Sequence, residues 1–106
     1  MDLSLRILMV EDDGFIAGRL KGLIVKIADS YKVGIRLDEA RSFEVALKKI
    51  NNDYYDLVFL DHSLPEYEED DMAVGKGYSL IKTIRERNRH TLIIGTSSEH
   101  SRLSER

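Results

Sequence analysis

Three groups of side chains in this sequence could do chemistry, and each stands just after a short apolar run. Glu11, Asp12 and Asp13 follow Ile7-Leu8-Met9-Val10, Asp61 follows Leu57-Val58-Phe59-Leu60, and Thr96, Ser97 and Ser98 follow Leu92-Ile93-Ile94-Gly95. Carboxylates gathered to within about 5 Å repel by roughly 3 kcal/mol per pair at an effective dielectric near 20, so a positive group must sit among them. A hard cation that seeks oxygen meets that need: Mg²⁺ is held by one or two carboxylates, keeps several waters and leaves positions for a phosphate. The structural alternative is ordinary. An acidic residue at a strand-to-helix turn caps the helix and complements its dipole, and a Ser/Thr run after a strand is common loop chemistry. What favours chemistry is that the three groups occupy equivalent ends of three successive apolar segments.

Two periodicities define the elements that must position these groups. The apolar runs bounded by charge predict strands over 5–10, 56–61 and 91–96, buried on both faces of a parallel sheet. Between them, Ile16, Leu20, Leu23, Ile24 and Ile27 recur at helical spacing, which predicts a helix over 14–29 with one buried stripe. Phe43, Leu47 and Ile50 do the same over 42–52, after a Ser42 N-cap, and Tyr78, Leu80, Ile81 and Ile84 over 77–88, after Gly77. Val33 to Leu37 alternates and reads as an edge strand. Strands separated by helices imply right-handed crossovers and an α/β parallel sheet covered by helices. In such sheets ligands collect beyond the carboxyl ends of the strands, where the acidic and hydroxyl groups stand if the first and third strands are neighbours.

The chain has 106 residues, 16 Lys and Arg against 19 Asp and Glu, no Cys, no Trp and one Pro. That is one domain over 1–106, near the lower end of single-core size, where folding buries about 60–68% of the chain's surface. Without cysteine there is no disulfide framework and no thiolate metal site. Apolar runs of four residues fall far short of the roughly 20 that span a bilayer, and Met1-Asp2-Leu3-Ser4 has no basic segment of a secretory signal, so a cytoplasmic protein without a membrane partner is expected. Mild acidity argues against a nucleic-acid partner, and the basic cluster from Lys82 to Arg89 alternates with polar residues as a solvated helix face does.

Several segments together resemble the receiver domains of two-component response regulators. Leu5-Arg6-Ile7-Leu8-Met9-Val10-Glu11-Asp12-Asp13 is similar to their first strand with its acidic pair, and Tyr55 to Pro65 to their third strand with the phosphoacceptor aspartate and a proline four residues on. Gly77 to Arg85 and Ile93 to Ser98 are similar to the next helix and the fourth strand. The resemblance implies a flavodoxin-like, CheY-like fold with strand order 2-1-3-4, the fifth strand and helix of the family being missing from these residues. It implies that Asp61 takes a phosphoryl group from a histidine kinase or phosphotransfer protein. Mg²⁺ would be held by Glu11, Asp12, the Asp61 side chain and the Ser63 backbone carbonyl, and Ser97, with Thr96 as the alternative, would supply the phosphoryl-binding hydroxyl.

The sequence also departs from the family. It has no lysine after Lys82, where the family lysine is expected, and its loop from Glu66 to Lys76 is longer and strongly acidic, as a solvated loop or a lid over the site would be. His62 follows Asp61 on an extended strand, so its side chain should point to the opposite face. Without a fifth strand, Leu92–Ile94 becomes a bare apolar edge and one sheet face carries only the first helix. That predicts self-association or a partner covering the strand-4 edge, unless the chain continues beyond these residues. A second function, a degenerate receiver acting as a phosphorylation-independent interaction or dimerisation module, is consistent with the same departures. A turnover enzyme is not expected, because an aspartyl phosphotransfer hydrolase would want a second acid where Ser63 stands.

Overall fold

A computed structural model describes residues 4–61 and 77–96. Its elements run β1 (Ser4–Val10), α1 (Gly14–Ser30), β2 (Gly34–Ala40), α2 (Phe43–Asn52), β3 (Leu57–Asp61), a 3₁₀ turn (Gly77–Ser79) entering α3 (Leu80–Arg87), and β4 (Leu92–Thr96). The sheet order is β2-β1-β3-β4 with every pair parallel, the flavodoxin-like arrangement expected from the sequence. Among the described residues no helix is long and apolar enough to cross a membrane.

Alternation along the strands divides the apolar residues between two faces. Leu8 and Val10 of β1 and Val58 and Leu60 of β3 are sealed under Ala46 and Ile50 of α2 and Leu80 and Ile84 of α3. Among the described residues the opposite face carries α1 alone. Ala17 and Ala28 are the buried residues of that helix, whereas Leu23 and Ile27 remain 57% and 58% exposed. The stripe expected to be buried is therefore only half covered. The sheet beneath it stays open as a cleft of about 300 Å³ lined by Ile7, Ile24, Ala28, Leu57 and Phe59 among others. This is also why Leu57 and Phe59 are half-buried in a strand whose sequence predicts burial on both faces.

Two boundaries differ from the sequence reading. The edge strand β2 starts at Gly34 and runs on to Ala40, because its charged end is satisfied in place: Tyr55 Oη donates to Asp38 Oδ2 at 2.7 Å, and Glu39 stands 3.7 Å from both Lys21 and Arg41. Burial and the Asp38 carboxylate together hold the Tyr55 phenol protonated well above its ordinary range. Val33 lies instead just after the turn that closes α1, its N–H donating back to the Ala28 carbonyl at 2.9 Å. The third helix opens with the 3₁₀ turn Gly77–Ser79, and its Ser79 makes no side-chain cap.

The two edges of the sheet are chemically unlike. β2 presents Arg36, Asp38 and Glu39, which blunt strand addition, whereas β4 (LIIGT) carries no charge, with Leu92 60% and Ile94 39% exposed.

Helix α1 holds glycine at 18 and 22, where an added Cβ would meet nothing within 4 Å. Gly18→Ala and Gly22→Ala are each expected to raise stability by roughly 0.5–1 kcal/mol, by removing unfolded-chain freedom without a clash, and chemical denaturation reads this directly.

Candidate metal centre

The carboxyl ends of the central strands meet through register. The Glu11 N–H donates to the Ala40 carbonyl at 3.0 Å, so the chain after β1 stays in line with the sheet for one more residue. Val10 pairs with Leu60, which sets Glu11 beside Asp61, and Asp61 in turn pairs with Thr96. One carboxylate oxygen each from Glu11, Asp12 and Asp61 lies within 4.8 Å of the other two. Glu11 and Asp61 are buried, at 3% and 0% exposure, and Asp12 is exposed, so the cluster has a sealed floor and one open side.

The third acidic residue of the first group does something else. Asp13 Oδ1 accepts from the N–H groups of Phe15 at 2.9 Å and Ile16 at 3.2 Å, capping α1. The capping reading thus holds for Asp13, while Glu11 and Asp12 face Asp61.

Burial pushes the Glu11 carboxyl up to about 8 from an ordinary 4.5, helped by its hydrogen bond to Asp61 and the charges of Asp61 and Asp12. The Asp13 N–H, donating to Glu11 Oε2 at 3.1 Å, opposes that rise. Asp61 Oδ2 is sealed from solvent, and the Asp61 carboxyl is engaged with Glu11. An all-oxygen donor set of three converging carboxylates, one with an oxygen sealed from solvent and one kept from ionising chiefly by its burial, fits a hard divalent cation of the Mg²⁺ type.

Of the site residues expected from sequence, Glu11, Asp12 and Asp61 are brought together, and Thr96 ends the strand paired with Asp61. Ser97, Ser63, His62 and the acidic loop 66–76 lie outside the described residues. The sequence reading missed a second cleft, of about 260 Å³, in which Glu11 and Thr96 share a wall with Ile16, Arg19, Leu20 and Leu23 of α1. Its apolar members were read as core stripe; Arg19, three residues from Ile16 and four from Leu23, is the signal that this flank is not all core.

The family model for the response regulator receiver domain matches residues 7–105. Solved structures with this architecture include the non-phosphorylated HemR receiver domain from Leptospira biflexa (TM-score 0.67, 24% identity, covering 94% of this chain and 72% of that one). They also include a CheY-like receiver domain from Methanospirillum hungatei (0.61, 25%, 98% and 74%) and the MaeR response regulator bound to beryllium trifluoride (0.65, 21%, 89% and 67%). No curated protein matches the sequence at a comparable level of significance.

Proposed function

This chain belongs to the response regulator receiver family, and from that premise we propose that it is a phosphoacceptor, taking a phosphoryl group on Asp61 from a histidine kinase or phosphotransfer protein. The observation that carries the reading is the convergence of the Glu11, Asp12 and Asp61 carboxylates at one end of the sheet. In the transfer an Asp61 carboxylate oxygen attacks the donor phosphorus, the bond from phosphorus to the leaving group breaks, and the product is an aspartyl acyl phosphate.

A carboxylate is a weak nucleophile, so the protein's contribution is alignment and charge. Pairing of Leu60 with Val10 on one side and of Asp61 with Thr96 on the other holds the Asp61 backbone, and full burial of its side chain restricts the rotamers from which it can attack. Glu11, Asp12 and Asp61, with the Ser63 carbonyl that the resemblance adds, would hold Mg²⁺. When bound, the ion neutralises charge on the transferred phosphoryl oxygens. Ser97 is the hydroxyl donor the resemblance favours, and the pairing of Thr96 with Asp61 beside the adjoining cleft supports Thr96 as its alternative. The expected setting is the cytoplasm.

Incubation with Mg²⁺ and a small phosphodonor is expected to add one phosphate by intact mass, and omission of Mg²⁺ to prevent it. A protein that stays unmodified and shows no thermal shift with Mg²⁺ and beryllium trifluoride, the anion bound by MaeR, overturns the reading.

The uncharged β4 edge and the open face beside α1 support a contact with a second copy or another protein there. Sedimentation velocity is expected to show a concentration-dependent species larger than the monomer; a monomer at every concentration removes the second copy.

A further inference from the structure

We infer that the open sheet face beside α1 binds a helix of another protein, one with an apolar stripe and acidic residues along its margin. This rests on reading that face as a contact and is independent of phosphate acceptance on Asp61. Two clefts follow each other down one flank of α1, walled first by Ile16, Leu20 and Leu23 and then, one turn on, by Ile24 and Ile27. Their floor continues across the sheet. Ile93 packs against the core under α2 and α3, so the alternation of β4 turns Leu92 and Ile94 to the α1 side, in register with Leu57 and Phe59 of β3.

The shape suits a helix. The wall is a helix of seventeen residues, about 25 Å long at 1.5 Å per residue, and the floor is two strands of five residues each. A second helix laid beside α1 completes that layer and buries the exposed flank at Leu23 and Ile27 together with Leu92 and Ile94. The ten residues after Thr96 hold a single apolar side chain, Leu103, and so provide no such stripe. A second copy has none to spare: Ala46 and Ile50 of α2 and Leu80 and Ile84 of α3 are buried in its own core, and its α1 brings the same cations. Edge-to-edge pairing of β4 between copies leaves the trough open, because the trough lies on the face of the sheet.

Charge decides the margin of the partner. Arg19 stands one turn before Leu23 and Lys26 one turn after it, so both border the trough. Lys21, on another side of the helix, pairs with Glu39, whereas Arg19 and Lys26 make no ion pair among the described residues. Arg19 rests over the Phe15 ring at 5.9 Å, which steadies it without taking its N–H groups. Of the residues lining the two clefts one is acidic, Glu11, and it is buried in the metal centre; β4 has no charge. An uncharged floor with unpaired cations on its rim favours carboxylates set beside the apolar stripe of the incoming helix.

The test uses three fluorescent peptides of about eighteen residues, long enough to match α1. One carries Leu at helical spacing flanked by Glu, the second has Lys for every Glu, and the third is a scramble of the first. By anisotropy with the whole chain, the Glu peptide is expected to bind at least about tenfold more tightly than either of the others. Arg19→Glu and Lys26→Glu together are expected to weaken it about tenfold, and Lys48→Glu, an exposed charge reversal on α2, to leave it unchanged. Leu23→Asp is expected to remove measurable binding while circular dichroism stays that of the folded protein, the residue being exposed. Methyl resonances of Leu23, Ile27 and Leu92 should shift with the Glu peptide. A Lys peptide that binds as tightly as the Glu peptide leaves the face a contact but overturns its acidic partner. Binding by the scramble, binding that survives Leu23→Asp, or a loss under Lys48→Glu equal to that under the paired reversal overturns the inference outright. Leu23 and Ile27 resonances that shift on concentrating the protein without peptide put a second copy in the trough and overturn it as well. If nothing moves these resonances, the contact reading of the face fails together with this inference.

Discussion

Asp61→Asn is expected to abolish phosphate incorporation completely and, in the absence of Mg²⁺, to make the protein more stable. The first effect follows from chemistry: an amide has no carboxylate oxygen to attack phosphorus, and Asp61 is the carboxylate aligned with both Glu11 and Thr96. The second follows from electrostatics. Asp61 is fully buried, and its oxygens share a space within 4.8 Å with those of Glu11 and Asp12. At that separation a like-charge pair costs about 3 kcal/mol at an effective dielectric near 20, and the near-isosteric amide removes the charge and brings N–H donors to the remaining carboxylates. A gain of roughly 2 kcal/mol at pH 8 in chelator corresponds to a melting temperature higher by about 10 °C in a domain of this size. Added Mg²⁺ should stabilise the wild type and close the gap, because the variant has lost a ligand. A phosphate adduct that persists in Asp61→Asn means that another side chain is the acceptor.

Magnesium affinity is expected to climb about tenfold per pH unit from about pH 6 and to level off near pH 8. Glu11 carries the effect. Its carboxyl titrates at about 8 in the folded protein against an ordinary 4.5, so across that window it is protonated when folded and ionised when unfolded. Folding stability without metal is therefore greatest below pH 4.5 as far as this group is concerned, falls as pH rises toward 8, and is flat above. A divalent ion needs the carboxylate, so binding within the window expels one proton. Calorimetry in two buffers of different ionisation enthalpy counts that proton. Glu11→Gln is expected to flatten both profiles and weaken Mg²⁺ binding. An affinity in the wild type that does not change between pH 6 and 8 shows that Glu11 is already ionised.

Much of this site was legible in the residues because strand ends are legible. Apolar runs such as Ile7–Val10 and Leu57–Leu60 announce buried parallel strands, and the acidic residue that breaks each run must then lie at the same end of the sheet. The sheet order and the meeting of Glu11, Asp12 and Asp61 follow from that. The division of labour within Glu11-Asp12-Asp13 could not be read, because a capping carboxylate and a metal-facing one are the same chemical group, and only the backbone turn at Asp13 separates them. The far end of β2 was hidden for a related reason. Asp38 and Glu39 look like loop residues until their partners, Tyr55, Lys21 and Arg41, are brought alongside from other parts of the chain. The stripe on α1 misled differently. Helical spacing shows that a face is apolar but not how much of it a neighbour covers, and here the sheet takes the alanines and leaves the flank that holds Leu23 and Ile27.

That shallow seating governs how the molecule breathes. Two alanines of its seventeen residues are buried against the sheet, a Cβ added at two of its glycines would meet nothing nearby, and no second helix wedges it in place among the described residues. Layers anchored this lightly are the first to detach and redock in native-state fluctuations, so amide hydrogens of α1 should exchange faster than those of α2. The helix begins one residue after Asp13, and so the loop that carries Glu11 and Asp12 is tethered to this lightly seated element. Occupancy of the acidic pocket and residence of the helix on its bed must then rise and fall together.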